Sequence, residues 1–316
     1  MGFLKESVPT RGILLSTLPK IGRVVANNPS VMTYHGTNSW IIEVGHELIL
    51  IDPGPADAAH LQAVLAVLNG RKLKYILLTH THSDHFGNAG ALQGATGAPI
   101  AAYKQPSKKN FSPDLPLDDG DIIGGLTAIY TPGHAGDHLC FYVLGDNGQK
   151  ILFSGDHVMS WSSSIVNPPD GDMRAYYASL ELLMHRDDDV YLCGHGPLLE
   201  KPQALAAELL SHRQFREQTI IDELRKQDVT VAELAARLYH KSDLYLKGAA
   251  QRNVLAHLLK LTAEGLTEEH QPETEPHADV VAMMKNGDVK DDPITQRLYR
   301  DSLRKFGLRV AGVSRH

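Results

Sequence analysis

Short apolar runs closed by turn residues recur through the first two thirds of the chain and predict strands. Residues 40–44, 48–51 and 75–78 are rich in Ile, Leu and Val, and the second run ends in a Pro-Gly turn after Asp52. Between the last two runs, apolar residues recur at intervals of three and four, which is the spacing of a helix facing a core: Leu61, Val64, Leu65 and Leu68. The pattern therefore predicts strands alternating with a helix over residues 56–68.

The same alternation continues to about residue 202. Further strands are predicted at residues 100–103, 122–123, 126–130, 139–144, 150–153 and 190–193. Helices are predicted near residues 87–92 and over residues 172–184. Strands and helices that alternate in this way are typical of layered α/β or α+β domains. We therefore expect two packed sheets with helices on their outer faces.

From residue 205 to about residue 266 the pattern is wholly helical. It predicts a long helix ending near residue 226, a second over residues 231–239 and a third over residues 249–264. Thr230 and Glu233 resemble a capping box at the start of the second helix. Three helices of this size are typical of a small module such as a winged helix. We therefore predict a helical domain over residues 205–270, after a first domain over residues 1–204.

The remaining residues, 271–316, are predicted to form an acidic linker and a basic tail. Residues 270–292 are rich in Pro, Glu and Asp, as mobile linkers are. Beyond them the chain is distinctly basic, with cations at Arg297, Arg300, Arg304, Lys305, Arg309 and Arg315. This tail could pack as a helix, act as a dimer arm or stay disordered.

Composition and charge narrow the classes of function. Hydrophobic residues make up 42% and charged residues 22%, as in ordinary folded proteins, and the net charge of −6 gives no global positive field for a nucleic acid backbone. Cys140 and Cys193 predict reduced thiols rather than a disulfide framework. Apolar runs fall far short of the roughly 20 residues of a membrane span, and the N-terminus has no secretory pattern. We expect a cytoplasmic protein without a membrane partner.

The sharpest chemical feature is a cluster of histidines directly after a predicted buried strand. It contains His80, His82, Asp84 and His85 within six positions. Imidazoles are common ligands of Zn²⁺, and a loop at a strand end can turn the first two histidines toward one ion and the last two residues toward another. A surface cluster without function is the alternative, but the preceding core strand and the following Gly-Asn-Ala-Gly segment favour a metal site.

Three more segments place a His or Asp directly after a glycine at a strand end. They are Gly133-His134, Gly155-Asp156 and Gly194-His195. Each glycine lets the backbone turn sharply while it presents one ligand, as a preformed metal site requires. With the first cluster they give seven candidate ligands, the number that two adjacent ions need.

This pattern, HxHxDH followed by separate His, Asp and His residues, resembles that of the metallo-β-lactamase superfamily over residues 31–197. The resemblance implies an αββα sandwich with the site at one edge of the paired sheets. It also implies which residues hold the metals: His80, His82 and His134 one ion, Asp84, His85 and His195 the second, and Asp156 both. No cysteine is needed as a ligand.

A narrower resemblance is to the β-lactamase-like proteins with a C-terminal winged helix. It is carried by the Gly-Asp-His-Val-Met segment from Gly155, by the Gly-His-Gly-Pro segment from Gly194, by the Ser-His-Arg segment from Ser211 and by the helical module. Members of that group have been assigned as single-stranded RNA endonucleases, and fungal relatives as thioesterases acting on carrier-bound polyketides. Residues 205–270 carry nine Lys and Arg against ten Asp and Glu, which favours a packing or dimerisation module over a phosphate-binding one.

The mechanism expected of two adjacent divalent ions is attack by a hydroxide that bridges them. Zinc is the first expectation, although the same ligand types also accept Fe or Mn. Asp84 is placed to orient the hydroxide and to relay a proton to the leaving group. Asp52 is expected either to orient a ligand imidazole or to cap its own turn. Thr79, His138 and His157 are weaker candidates for which a structural role is favoured.

The sequence thus predicts a metal-dependent hydrolase that cleaves an ester, thioester or lactone bond of a small or carrier-bound acyl substrate. Trp161, in the irregular segment after Asp156, slightly favours an organic acyl group. The first alternative is a metal-dependent endonuclease of single-stranded RNA, and the second is a metal-binding regulator that reads DNA. A homodimer is left open.

Overall fold

The computed structural model describes residues 2–239, 244–270, 297 and 300–309. The described chain divides into two compact units. The first contains the residues up to Ser164 together with Asp170–Leu210, and the second contains Ile165–Pro169 together with the described residues from Ser211 onward. Most of the predicted acidic linker, and Arg315 of the predicted tail, lie outside the described residues.

The first sheet of the first unit has seven strands in sequence order. Strands β1 to β4 pair antiparallel, and β4 to β7 pair parallel. The strands are β1 (Leu15–Leu18), β2 (Ile21–Val25), β3 (Asn38–Val44), β4 (Glu47–Ile51), β5 (Leu73–Leu77), β6 (Ile100–Tyr103) and β7 (Leu115–Leu117). Helices lie in two of the three parallel crossovers: α1 (Ala58–Leu68) between β4 and β5, and α2 (Ser83–Phe86) with α3 (Ala89–Thr96) between β5 and β6. The connection from β6 to β7 is a loop.

The second sheet has six strands in the order β13-β12-β11-β10-β9-β8. They are β8 (Ile122–Ile123), β9 (Leu126–Tyr130), β10 (Leu139–Leu144), β11 (Lys150–Gly155), β12 (Val190–Cys193) and β13 (Leu199–Glu200). The neighbours are antiparallel except for β11 and β12, which are parallel and are joined through α4 (Met173–Met184).

The apolar runs read in the sequence are strands that are buried on both faces. Along β3 and β4, Trp40 and Ile51 face a core shared with Phe153 of the second sheet. Their neighbours Ile41 and Leu50 face a second core built with α1 and α3. Because the side chains on both faces of each strand are buried in a core, the strand sequence is continuously apolar and does not alternate between apolar and polar residues. The two sheets pack face to face with helices outside, and the predicted αββα sandwich is confirmed.

Four strands of the first unit were not predicted: β1, β2, β7 and β13. In β2 every residue is buried, but the run is interrupted by Arg23, which hides the strand from a hydrophobicity pattern. The buried guanidinium is compensated by an ion pair with Glu6 at 2.5 Å and by donation to the Gly196 carbonyl oxygen at 2.6 Å. A charged residue therefore lies inside a core strand because its partners neutralise it.

The second unit combines helices with a small sheet. Helix α5 (Pro202–Leu224) begins in the first unit and ends in the second, followed by α6 (Val231–Leu238) and α7 (Leu244–Ala263). Thr230 and Glu233 form the predicted capping box of α6. The sheet has the order β14-β16-β15, with β14 (Val229–Thr230), β15 (Thr267–His270) and β16 (Lys305–Leu308).

The expectation of a wholly helical segment up to residue 266 is therefore wrong at β14. Part of the predicted basic tail is also structured, since β16 pairs with both other strands and Phe306 is fully buried among Leu234, Leu255 and Leu258. Within the described residues, none of the helices combines the length and the apolar character that crossing a membrane would take.

Candidate metal centre

The first donor group consists of His80, His82 and His134, whose nearest ligand atoms lie within 4.8 Å of one another. Two of these residues lie in the loop between β5 and α2, and His134 lies in the loop after β9. His134 Nε2 is 3.0 Å from His82 Nδ1. Three imidazole nitrogens therefore converge from the ends of two strands, one in each sheet.

The second donor group consists of Asp84, His85, Asp156 and His195, again within 4.8 Å of one another. Asp156 directly follows β11, and His195 follows β12 after one glycine. The Nε2 atoms of His85 and His195 are 3.3 Å apart. Asp84 Oδ2 and Asp156 Oδ2 each lie 3.3 Å from His195 Nε2.

Asp156 connects the two donor groups. Its Oδ2 is 3.4 Å from His85 Nε2 in the second group and 3.8 Å from His134 Nε2 in the first. The structure thus brings together all seven residues that the sequence singled out, at one edge of the paired sheets. Their role as ligands stays a prediction.

The donor groups fit divalent cations. His80 Nε2 and Asp156 Oδ1 are buried without a hydrogen-bond partner among the described residues, which is costly unless another species satisfies them. Three imidazoles on one side, and two imidazoles with two carboxylates on the other, are typical donors for Zn²⁺, Fe or Mn. Cys193 belongs to neither donor group. It is fully buried, and burial raises the pKa of its thiol to about 11, so the thiol is protonated at neutral pH.

All three predicted glycines are required, for different reasons. Gly133 has φ +140°, and a Cβ there would lie 2.3 Å from the backbone Cα of Tyr176. Gly155 has φ +49°, and a Cβ there would lie 2.6 Å from His138 Nε2. Gly194 has no left-handed φ, but a Cβ there would lie 2.4 Å from Asp156 Oδ1 and 2.7 Å from His85 Cε1. Gly194 is therefore required because a side chain would not fit there, and not because the backbone turns sharply.

Asp52 orients imidazoles of both donor groups. Its carboxylate accepts hydrogen bonds from the Thr79 backbone N–H at 2.8 Å, from Thr79 Oγ1 at 2.7 Å and from His85 Nδ1 at 2.8 Å. Because Thr79 Oγ1 donates to Asp52, it accepts from His80 Nδ1 at 3.0 Å. In their neutral forms both imidazoles therefore carry their hydrogen on Nδ1 and direct the Nε2 lone pair at the donor groups. Of the two roles expected for Asp52, the structure shows the orienting one.

The loop that carries His195 is fixed by three side chains that the sequence analysis missed. Arg23 and the Asn38 amide both donate to the Gly196 carbonyl oxygen, at 2.6 and 2.9 Å. Trp40 Nε1 donates to the Cys193 carbonyl oxygen at 3.0 Å. An arginine inside an otherwise apolar strand was the one available signal. Asp170 was missed as well, and its carboxylate lies 3.0 Å from His82 Nε2.

Charges are balanced within the second donor group. Burial would lower the pKa of His85 and His195, but the facing carboxylates of Asp156 and Asp84 outweigh it, raising the pKa of His195 to about 9 and that of His85 well above its usual range. Burial would raise the pKa of Asp156, yet the two imidazoles hold it well below its usual range. In the first group, burial lowers the pKa of His80 well below its usual range. A cation binding the second group therefore replaces protons.

His138 and His157 lie behind the donor groups. His138 contacts Thr131 Oγ1 through Nδ1 at 2.9 Å and accepts from the Asp156 backbone N–H through Nε2 at 3.3 Å, so it fixes the backbone of the connecting carboxylate. The fully buried His157 packs against Tyr176, and burial lowers its pKa to about 3. Both rings are thus neutral supports of the site.

An aromatic pair lies beside the second donor group. Trp161 stacks on Tyr34, with ring centroids 4.9 Å apart and an interplanar angle of 23°. A Cβ at Gly196, next to His195, would lie 2.7 Å from Trp161 Cδ1. The irregular segment after Asp156 therefore packs an aromatic side chain against the loop that carries His195, and the predicted role of this segment in holding a substrate stays a prediction.

Comparisons with known proteins agree with this architecture. A family model described as the metallo-beta-lactamase superfamily matches residues 32–195, just over half of the chain, and one described as the beta-lactamase associated winged helix domain matches residues 230–273. A beta-lactamase-like protein 2 homolog of Caenorhabditis elegans is 28% identical over 80% of this chain and 88% of its own. An atrochrysone carboxyl ACP thioesterase of Passalora fulva is 26% identical over 71% and 69%. The crystal structure of a beta-lactamase domain protein from Burkholderia ambifaria, 17% identical, superposes with a TM-score of 0.72 over 96% of both chains, and shows the fold alone.

Proposed function

The chain belongs to the metallo-β-lactamase superfamily of hydrolases, and we propose that it uses two divalent metal ions to hydrolyse an ester, thioester or lactone carbonyl of an acyl substrate. Zinc is the metal we expect first, with Fe or Mn as alternatives that the same donors accept.

The observation that carries the proposal is the position of Asp156 between the two donor groups. Its Oδ2 atom lies within 3.8 Å of imidazole nitrogens from both groups. A carboxylate in that position would hold two cations close together with the imidazoles of both groups. When bound, such ions would supply Lewis-acid polarisation of a carbonyl and a water with a pKa of about 7.

Asp84 is the residue that we assign to proton transfer. Its side chain is 27% exposed against 9% for Asp156, so it is the acidic group of the second donor group that a substrate can approach. Burial would raise the pKa of Asp84, but the imidazoles of His85 and His195 lower it below its ordinary value. Asp84 is therefore a carboxylate at neutral pH that accepts a hydrogen bond from the attacking water. It takes a proton from that water as the bond to the carbonyl carbon forms, and it passes this proton to the leaving group as the bond to that group breaks.

Three features support an acyl substrate. The Trp161–Tyr34 stack offers an apolar surface beside His195, which suits an organic acyl chain. Residues 205–270 carry nearly equal numbers of positive and negative residues, unlike a module that binds phosphates. A relative that matches most of the chain bears the name of an acyl carrier protein thioesterase.

The test is a substrate panel on the full chain loaded with zinc, iron or manganese. Acyl thioesters of pantetheine, p-nitrophenyl esters and acyl-homoserine lactones are compared with a single-stranded oligoribonucleotide. We expect metal-dependent turnover of at least one acyl class, a loss of about 100-fold or more in kcat for Asp84→Asn, and a raised KM for Trp161→Ala. Asp146→Asn serves as the control, because that carboxylate is 70% exposed and paired with Lys20.

Cleavage of the oligoribonucleotide that Asp84→Asn abolishes, without turnover of any acyl substrate, would replace this proposal with the endonuclease alternative. A specific shift of duplex DNA without any turnover would favour the regulator instead.

A further inference from the structure

We propose that Asp170 is a positioning residue of the metal centre, which fixes the ring of His82 so that its Nδ1 atom faces the first donor group. The inference rests on the metal centre of the proposed function but not on the identity of the substrate.

The two nitrogens of His82 have different partners. Nε2 is 3.0 Å from Asp170 Oδ2, and Nδ1 is 3.0 Å from His134 Nε2. A carboxylate only accepts hydrogen bonds, so the ring hydrogen that faces Asp170 is on Nε2. The lone pair of the neutral ring is then on Nδ1, the atom that converges with the other donors. A single contact thus sets both the tautomer and the rotation of the ring.

Asp170 is itself held by two more donors from separate loops. Its Oδ1 accepts from the Gly136 backbone N–H at 3.1 Å and from Ser107 Oγ. Ser107 belongs to the loop after β6, Gly136 to the loop after β9 and His82 to the loop after β5. Three donors from three loops fix the carboxylate far more firmly than an isolated surface ion pair would.

His82 needs such a partner more than the other two members of its group. Its side chain is 38% exposed, whereas His80 and His134 are buried, so the surrounding core restrains those two rings. Holding an exposed ring in one rotamer costs conformational entropy. Asp170 offsets that cost with a hydrogen bond at a ring that the core does not fully surround. Asp52 also orients imidazoles by hydrogen bonding, but those rings are buried.

The experiment measures zinc affinity of the full chain by competition with a chromophoric chelator. We expect Asp170→Ala to lower the affinity for one of the two zinc ions by about 10- to 100-fold, which is the usual effect of removing a partner that orients a ligand imidazole. The affinity for the other ion should stay within about threefold of the wild-type value. Asp170→Asn retains an accepting oxygen without the charge and should lie between the wild type and Asp170→Ala. Asp146→Ala serves as the matched control, because that carboxylate is 70% exposed and paired with Lys20, so both affinities should stay within about threefold of the wild type.

A double mutant separates positioning from a merely structural role. In a His82→Ala background, Asp170→Ala should cause no further loss of zinc affinity, because the ring that it orients is gone. Thermal unfolding of the metal-free variants checks that each one folds, and Asp170→Asn serves for the comparison if Asp170→Ala does not.

Three results would overturn the inference: unchanged zinc affinity in Asp170→Ala, an equal loss in Asp146→Ala, or a loss that persists without His82. A wild-type chain that binds no zinc, iron or manganese would overturn the proposed function as well. Normal metal binding without acyl turnover would overturn the proposed substrate class and leave the role of Asp170 standing.

Discussion

The two donor groups reach the same convergence of ligand atoms by different means. In the second group, His85 and His195 are fully buried, and the orienting carboxylate, Asp52, is 1% exposed. In the first, His82 is 38% exposed and its orienting carboxylate, Asp170, is 29% exposed. Burial makes electrostatic interactions in the second group strong and rigid, whereas the exposed ligand of the first depends on a network of hydrogen bonds at the surface. The second group should therefore tolerate fewer changes.

The largest difference is expected between the two orienting carboxylates. Asp52→Ala leaves a buried Thr79 and a buried His85 without their acceptor and should cost about 3–5 kcal/mol in unfolding free energy. Asp170→Ala removes a partly exposed partner and should cost about 1 kcal/mol or less. Urea unfolding of the metal-free chains measures both values. Equal costs would show that burial does not distinguish the two groups.

Gly194→Ala should damage the second donor group selectively. The new methyl group would lie 2.4 Å from Asp156 Oδ1 and 2.7 Å from His85 Cε1, so one of those side chains must move. We expect about a 100-fold loss of affinity for one ion, in line with a displaced ligand. Gly94→Ala in α3 is the matched control, since a Cβ there meets nothing within 4 Å and should raise helix stability slightly. The expectation fails if both variants bind two ions with wild-type affinity.

The pH dependence of metal binding should also differ between the groups. A metal must displace the proton from His195, whose pKa is raised to about 9 by Asp156 and Asp84 against the effect of burial. Because the pKa of His85 is raised as well, up to two protons compete below pH 9, and affinity at the second group should fall by between about tenfold and about 100-fold for each unit of decreasing pH. In the first group burial lowers the pKa of His80 and leaves that ring neutral. Burial also opposes a proton on His82, but the facing carboxylate of Asp170 outweighs it and raises the pKa of His82, so one proton competes there and the dependence should be shallower. Proton release on zinc binding, measured in weakly buffered solution, should persist in His82→Ala and decrease in His195→Ala; the reverse pattern would contradict the assignment.

The smallest effect is expected outside both donor groups. Thr230→Ala removes the capping box of α6 in the second unit and should lower stability by about 1 kcal/mol. Both zinc affinities should stay at the wild-type values. A change in either zinc affinity would mean that the stability of the second unit also influences metal binding. Differences between the two donor groups could then not be assigned to their own residues alone.

The sequence predicted those parts of the site that are encoded locally. Each of the seven donor residues follows a strand and is marked either by a preceding glycine or by the dense His80 to His85 cluster, so their convergence at a sheet edge could be inferred. Asp52 was found for the same reason, because it directly follows β4.

Residues whose partners are distant in sequence could not be found. Asp170 meets His82 across 88 positions, and Arg23 meets Gly196 across 173. Nothing near either residue in the chain indicates these contacts. The same holds for Phe306, which lies in a basic segment and is buried only because β16 pairs with β14 and β15. Tertiary contacts of this kind override the local pattern.

The central claim is that seven side chains hold two cations. The most direct test is the metal content of the full chain, refilled with zinc and freed of excess metal, by elemental analysis against protein concentration. We expect two zinc ions per wild-type chain and a lower content in His82→Ala and in His195→Ala. One ion or none in the wild type, or an unchanged content in both variants, would contradict it.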